Sequence, residues 1–352
     1  MIDVNDDIKK VFFSNIKLED HFFDSLRQDY SDFDSWFMRK RMDKSKAYVL
    51  FNEKGCIQAF LYLKDEFNED NTITPMLPKA KKLKIGTFKI DAHKTSLSQR
   101  FITIILRKMI TDGYDFSYVT IYPKQDDLKK LFKKYGFHKW GMKDKEEVYY
   151  KNLDVKNNIY EDFPRINETN LVNKFLLGIY PKHHTKLFPD SKLCNENDFH
   201  RNDVSFSNTI VKSYLGCMKE MPKIKEKDLI VIYRTSTGQE LPAYYNSVVT
   251  SVCTVVDTCN IKDFQSYPEF KKYIGYGTIF SDYELEQFYK TPKYPYIIRM
   301  IYNFPLNKRI TNGDLKDKLN INPEYWGCAQ LTNQQFDSIL EYGEVNANFI
   351  IN

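Results

Sequence analysis

Between residues 83 and 137 the chain changes its hydrophobic period repeatedly, and this narrows the possible folds more than any other feature. Leu83–Ile90 (LKIGTFKI) alternates apolar and polar residues as a strand does, and the polar run Asp91–Ser98 ends it. From Ser98 to Thr111, Phe101, Ile102, Ile104, Ile105, Leu106, Met109 and Ile110 fall at helical spacing. Tyr118–Tyr122 (YVTIY) is a strand again, and Asp126–Tyr135 is a helix stopped by Gly136. Ahead of this block, Ala47–Phe51 and Ile57–Leu63 read as paired strands around the Asn52–Gly55 turn. After it come short strands around Lys139 and at Val148–Tyr150. The order of elements predicts an α+β domain, a mixed sheet flanked by helices.

The chain has 352 residues, too many for one ordinary core, so two domains are expected. The polar stretch 154–171 lies between strand-like runs and reads as the linker, giving domains at 1–153 and 172–352. Beyond it strands dominate: Phe175–Ile179, Leu229–Tyr233, Ser247–Val256 and Tyr296–Phe304. Brief helices are expected near Tyr267–Tyr273, Asp282–Tyr289 and Asn333–Leu340. That pattern fits a small curled β-barrel with helices at its rim.

Charge is uneven. Residues 1–153 carry 29 Lys+Arg against 23 Asp+Glu, a net of +6, while the remainder carries 23 against 24, a net of −1. A basic first half favours an anionic ligand, a nucleotide cofactor or RNA. The lysines Lys79, Lys81, Lys82, Lys84, Lys89 and Lys94 around the 83–90 strand could guide such a ligand or merely solvate a strand face. No apolar run reaches about 18 residues, so no spanning helix is expected. The opening MIDVNDDIKK is unlike a secretory signal, and six scattered cysteines without a CxxC pair fit reduced thiols in a cytoplasm. The adjacent His183 and His184 have no third ligand near them in sequence, so no metal site is expected.

The segment LKIGTFKIDAHKTSLSQRFITIILRKM followed by YVTIYPKQDDLKKLFKKYGF resembles the cofactor-binding core of the GNAT N-acetyltransferases. The resemblance spans most of residues 10–150 and implies acetyl-coenzyme A as cofactor. It rests on the order of elements and on Tyr135-Gly136-Phe137, since the glycines of the R/Q-x-x-G-x-G/A loop are replaced by Ser96 and Arg100. By this resemblance Phe88, Lys89 and Ile90 at the strand end and Thr95, Ser96, Leu97, Ser98, Gln99 and Arg100 in the loop and helix start would hold the cofactor. Free amides at a helix start bind pyrophosphate, helped by the helix dipole. Phe132 stands where many members carry a tyrosine acid. Tyr135, three residues on, and Tyr122, at a strand end, are the alternative acids. Glu66, with Asp65, Glu69, Asp70 and His93 competing, is the candidate base.

In the second half, FLLGIYPKHHTKLFPD, KIKEKDLIVIYRTSTG, SVVTSVCTVVDT and WGCAQLTNQQFDSIL resemble the PUA-like superfamily, which includes the ASCH and EVE domains. The resemblance implies a barrel with a cleft for a base or RNA segment. Tyr233, Arg234, Thr235 and Ser236 follow an apolar strand and reach its rim, and Tyr180 and Trp326 are candidate stacking plates. Together the halves imply an acetyl-coenzyme A-dependent N-acetyltransferase whose second domain selects an RNA, with tRNA as one acceptor. The competing reading is a nucleic-acid or modified-base reader with a degenerate, inactive GNAT domain. A third makes the second domain a surface for a protein partner, and a toxin-like enzyme acting on charged tRNA would come with a small antitoxin.

Overall fold

The computed structural model describes residues 8–52, 54–91, 96–169, 171–191, 205–236 and 242–351. The chain is α+β and forms two compact units, the first running to Asp154 and the second starting at Val155.

The first unit is built on seven strands: β1 (Lys9–Phe12), β2 (Lys46–Phe51), β3 (Ile57–Glu66), β4 (Lys82–Ile90), β5 (Phe116–Ile121), β6 (His138–Lys143) and β7 (Glu146–Asn152). They lie in the order β1-β2-β3-β4-β5-β7-β6. All neighbours are antiparallel except β4 and β5, the pair joined by a helical crossover. Four helices accompany the sheet: α1 (Asp24–Asp29), α2 (Phe33–Met42), α3 (Leu97–Thr111) and α4 (Asp126–Lys134). Most of the expected stripe of α3 is buried: Phe101, Ile102, Ile105, Leu106, Met109 and Ile110 face the core with Leu97 beside them, while Ile104 is only half-buried. A second core gathers under α2, where Phe13 meets Phe37 edge-on at 4.9 Å and Phe60 at 5.7 Å. The sequence pattern did not show β1, α1 or α2, whose segments are short and weakly periodic.

The second unit contains β8 (Ile166–Asn167), β9 (Lys174–Ile179), β10 (Val211–Gly216), β11 (Leu229–Arg234), β12 (Val248–Asn260), β13 (Tyr296–Thr311), β14 (Cys328–Leu331) and β15 (Ile350–Ile351). Its helices are α5 (Pro181–Leu187), α6 (Ser205–Asn208), α7 (Ala243–Asn246), α8 (Tyr267–Ile274), α9 (Asp282–Lys290), α10 (Asn312–Asp317) and α11 (Asn333–Tyr342). Six strands form a row, β10-β13-β12-β11-β9-β14, with β9 and β11 the parallel pair inside it. These two strands are buried along almost their whole length, which explains their unbroken apolar runs. Register shifts at Val249/Ser251, Val252/Cys253 and Val255/Asp257 bend the long β12–β13 ribbon. Four helices of the unit start on a side-chain cap: Ser266 for α8, Ser281 for α9, Thr311 for α10 and Thr332 for α11.

The stretch expected as a linker is instead part of the second unit's packing. Phe163 and Ile166 are buried, Asp162 accepts from the backbone N–H groups of Lys156 and Asn158, and β8 pairs in parallel with β15. Its polar composition reflects side chains that satisfy turn backbone groups, which local composition cannot tell from a solvated spacer. No helix among the described residues is long and apolar enough to cross a membrane.

Candidate functional site

The site of the first unit begins with one glycine. β4 pairs with β5 over only four positions, Lys82–Ile85 against Phe116–Val119. At the next residue, Gly86, β4 carries an extra residue against β3, because Tyr62 faces Thr87 while Leu63 faces Ile85. A Cβ at Gly86 would stand 2.8 Å from the Tyr62 ring, so only glycine fits the bulge as built. Past it, Thr87–Ile90 follows β3, while Thr120 and Ile121 of β5 follow β7. The two strands part, and two adjoining cavities border the residues around the opening.

The larger cavity, about 1010 Å³, is bounded by the end of β4 (Phe88, Lys89, Ile90), the start of α3 (Ser96, Leu97, Ser98) and α4 with its lead-in (Lys124 to Lys134). Phe88 anchors its floor, 6.0 Å from Phe101 and 5.7 Å from Phe132. Ser96 has φ 57° and ψ 23°, the left-handed conformation that glycine takes readily. The position where the sequence resemblance leads one to expect glycine thus keeps a glycine-like backbone despite its side chain. Behind it α3 runs fifteen residues with its first amides at the cavity. Lys89, Lys124, Lys130 and Lys134 line this space against Asp29, Asp91, Asp126 and Asp127. Lys124 is 2.5 Å from Asp29 and Lys130 is 3.3 Å from Asp127, so the lysines are partly spent on neighbours.

The second cavity, about 430 Å³, shares Leu26, Phe88, Gln125 and Leu128 with the first. It is walled by Trp36, Tyr62, Gly86, Thr120, Tyr30 and Glu146 among others. The Tyr30 hydroxyl donates to Glu146 Oε1 at 2.6 Å. Burial first, then the bond to Glu146 and its charge, push the Tyr30 phenol well above its ordinary pKa, so it stays protonated. The Tyr30 ring also meets that of Tyr122 at 5.3 Å.

The expected residues scatter around this geometry. Phe88, Lys89, Ile90, Ser96, Leu97 and Ser98 come together along the first cavity. Thr95, with His93 and Lys94, lies outside the described residues. Gln99 turns inward to accept a hydrogen bond from Tyr135 at 3.4 Å, and neither Gln99 nor Arg100 lines the cavity. Tyr135 is fully buried, as is Phe132, and is therefore not an acid facing the opening. Tyr122 lines neither cavity, its hydroxyl donating to the Asp29 carbonyl at 3.2 Å. Glu66 also lines neither: Tyr118 donates to it at 2.5 Å and Lys64 at 2.8 Å, with Lys84 at 3.8 Å. Burial alone would raise its pKa, but these bonds and the Lys84 charge hold the carboxyl below its usual range, which makes it a weak base. Several of the clustered lysines are likewise tied down. Lys82 is buried with its ammonium on the Asn68 and Pro78 carbonyls, and Lys89 donates to the Phe22 carbonyl. Sequence reasoning missed Tyr30 and Glu146. No local pattern marks either residue, and they meet across 116 positions.

A third cavity, about 620 Å³, lies within the second unit between β9, β10 and the segment before β14. Tyr180, Thr235, Ser236 and Trp326 line it. Tyr233 does not: it is buried behind Trp326, ring centroids 5.0 Å apart, and its hydroxyl accepts from Asn312 at 2.9 Å. Arg234 also lies off the lining, with a guanidinium nitrogen 3.4 Å from the Asn246 carbonyl. His183 lines the cavity, whereas His184 is buried with Nε2 2.8 Å from Thr250 Oγ1. Burial, then the charges of Arg234 and Arg309, push the His184 pKa down to about 3.

No protein-family model matches the chain, and no curated protein is similar to it in sequence. Solved structures give fold-level likenesses to parts of it. A GNAT-family acetyltransferase from Listeria monocytogenes is 16% identical over 38% of this chain and 78% of its own, with a TM-score of 0.28. A GNAT-family N-acetyltransferase from Escherichia coli, solved in complex with CoA, is 12% identical over 43% and 83%, with a TM-score of 0.30. A mutant ASCH protein from Zymomonas mobilis is 9% identical over 48% and 96%, with a TM-score of 0.29. None of these assigns a role to a residue of this chain.

Proposed function

We propose that the first unit binds acetyl-coenzyme A in the larger cavity and passes its acetyl group to an amine held in the adjoining one. The observation that carries this reading is the parting of β4 from β5 at Gly86, which joins a long cavity at a helix start to a compact one across a strand gap. Amides at the start of α3 would receive the pyrophosphate. The open backbone edge of β4 beyond Gly86 would bind the pantetheine arm and polarise the thioester carbonyl. When bound, acetyl-coenzyme A would supply an activated acyl carbon for the amine nitrogen, with its thiol as the leaving group. Glu146 would accept the proton the amine loses. Tyr30, protonated and 2.6 Å from that carboxylate, would give its own proton to the departing sulfur and recover one from Glu146.

In the second unit the cavity lined by Tyr180, Thr235, Ser236 and Trp326 would take one base of an RNA acceptor, a tRNA among the candidates. A second reading has the first unit hold the cofactor without turnover while the second unit reads a nucleic acid. The burial of Tyr135 favours it, since the end of α4 then offers no hydroxyl to the opening. Calorimetry of the full chain with acetyl-coenzyme A, followed by thiol release across a panel of amines and RNAs, separates the two. We expect binding and thiol release, with Glu146→Gln slowing release about 100-fold and leaving cofactor affinity unchanged. Binding without release under every acceptor supports the second reading, and no heat at all sinks both.

A further inference from the structure

We infer that the cavity of the second unit is built for a compact organic cation bearing a methylated nitrogen. Six rings converge on it: Tyr180, Tyr214, Phe280, Tyr294, Tyr325 and Trp326. The face of such a ring is electron-rich and attracts ammonium groups with little penalty for losing water, and methylated nitrogens suit it best because they are weakly hydrated. The charge of the lining agrees. Among the described residues that line the cavity there is no lysine or arginine, and the one carboxylate is Glu324. A phosphate would find no charged partner there, whereas a cation would find Glu324 and several phenol oxygens. His183 adds no positive charge, because burial and then its neighbours Lys182 and Lys186 hold its pKa below the ordinary value.

The walls are braced. Tyr233 backs Trp326 at 5.0 Å, and His183 packs on Phe280 at 5.7 Å. Rings held by other rings lose little freedom when a ligand arrives. Trp326 already has a cation near it, the Lys316 ammonium 5.6 Å from the ring centroid, although Lys316 does not line the cavity. A neutral base would also satisfy the rings, but it would leave Glu324 and the phenols without a purpose that the rings do not serve. This inference does not depend on the acetyltransferase reading, and for this cavity it replaces the plain RNA base proposed above with a methylated cation, a charged methylated base being one source.

The test uses the full chain and two matched pairs of probes in calorimetry. One pair is choline and dimethylbutanol, in which a carbon replaces the charged nitrogen. The other is guanosine with and without a methyl group on its imidazole nitrogen. At least one cation should bind about tenfold or more tightly than its neutral partner, and the pair that shows the difference identifies a simple ammonium or a methylated base as the source. Glu324→Gln and Tyr325→Leu, both at exposed positions, should each erode that preference about fivefold or more while the thermal transition stays in place. Equal affinities within both pairs, no binding of either cation, or a preference untouched by both variants would overturn the inference. Acetyl-coenzyme A titrated into the same sample reports the first unit separately.

Discussion

Glu168 shows how one half-buried group can tie stability to pH. Burial, then the hydrogen bond and charge of Asp337, push its carboxyl up to about 7, with Lys174 offsetting part of the rise. Its backbone N–H donates to the Ile351 carbonyl at 3.3 Å, and Lys174 donates to the Thr169 carbonyl at 2.8 Å and to Asn333 Oδ1 at 2.6 Å. The folded state therefore holds this proton more tightly than the unfolded chain, whose carboxyl titrates near its usual value. Stability from this source is complete below the unfolded pKa and is lost as pH rises through about 7. Thermal unfolding between roughly pH 5 and 8 should show the second unit's midpoint falling, by about 2–4 °C for each kcal/mol lost. Glu168→Gln keeps a hydrogen-bonding group without the charge and should flatten that fall. An unchanged slope would place the Glu168 proton elsewhere.

At the scale of elements, the bulge in β4 decides whether the first unit has a site at all. A strand fully paired on both sides leaves no room between β4 and β5, and Gly86 is where pairing with β5 stops. Gly86→Ala would press a methyl on the Tyr62 ring and turn that ring within the smaller cavity it lines. We expect cofactor affinity to hold while the amine's KM rises about tenfold, equivalent to about 1.4 kcal/mol. Equal loss of cofactor binding would mean that the bulge shapes the larger cavity instead. Leu83–Ile90 reads plainly as a strand because alternation is a local signal, but a bulge depends on the partner's register and leaves only a lone glycine in the sequence.

For the whole molecule, the division at Asp154/Val155 predicts separable stability. Each unit has its own sheet and its own buried clusters, so each meets the requirement for folding alone. Calorimetric scans of the full chain should resolve two transitions, with residues 1–154 alone reproducing one of them. A single transition that is lost on truncation would make the two units one cooperative body. Cleavage within 158–167 should be slow, because Phe163 and Ile166 are buried and the Asn303 amide donates to the Pro164 and Arg165 carbonyls.

The amino-acid sequence by itself determined those features that local periodicity encodes: the buried stripe of α3, the apolar runs of β9 and β11, and the helix stop at Gly136. It also placed Phe88, Ser96 and Leu97 around one opening, because a strand, a turn and a helix start are consecutive in the chain. Tertiary structure alone decided which carboxylate meets the opening. Glu66 and Glu146 look alike in sequence, yet packing hands Glu66 to two lysines and a tyrosine and leaves Glu146 against Tyr30 in a cavity. It also turned Tyr135 and Tyr233 inward and brought six distant aromatic residues around one space. Such pairings arise from sheet register and helix docking between residues far apart in the chain, and a periodicity confined to ten or fifteen residues carries no record of them.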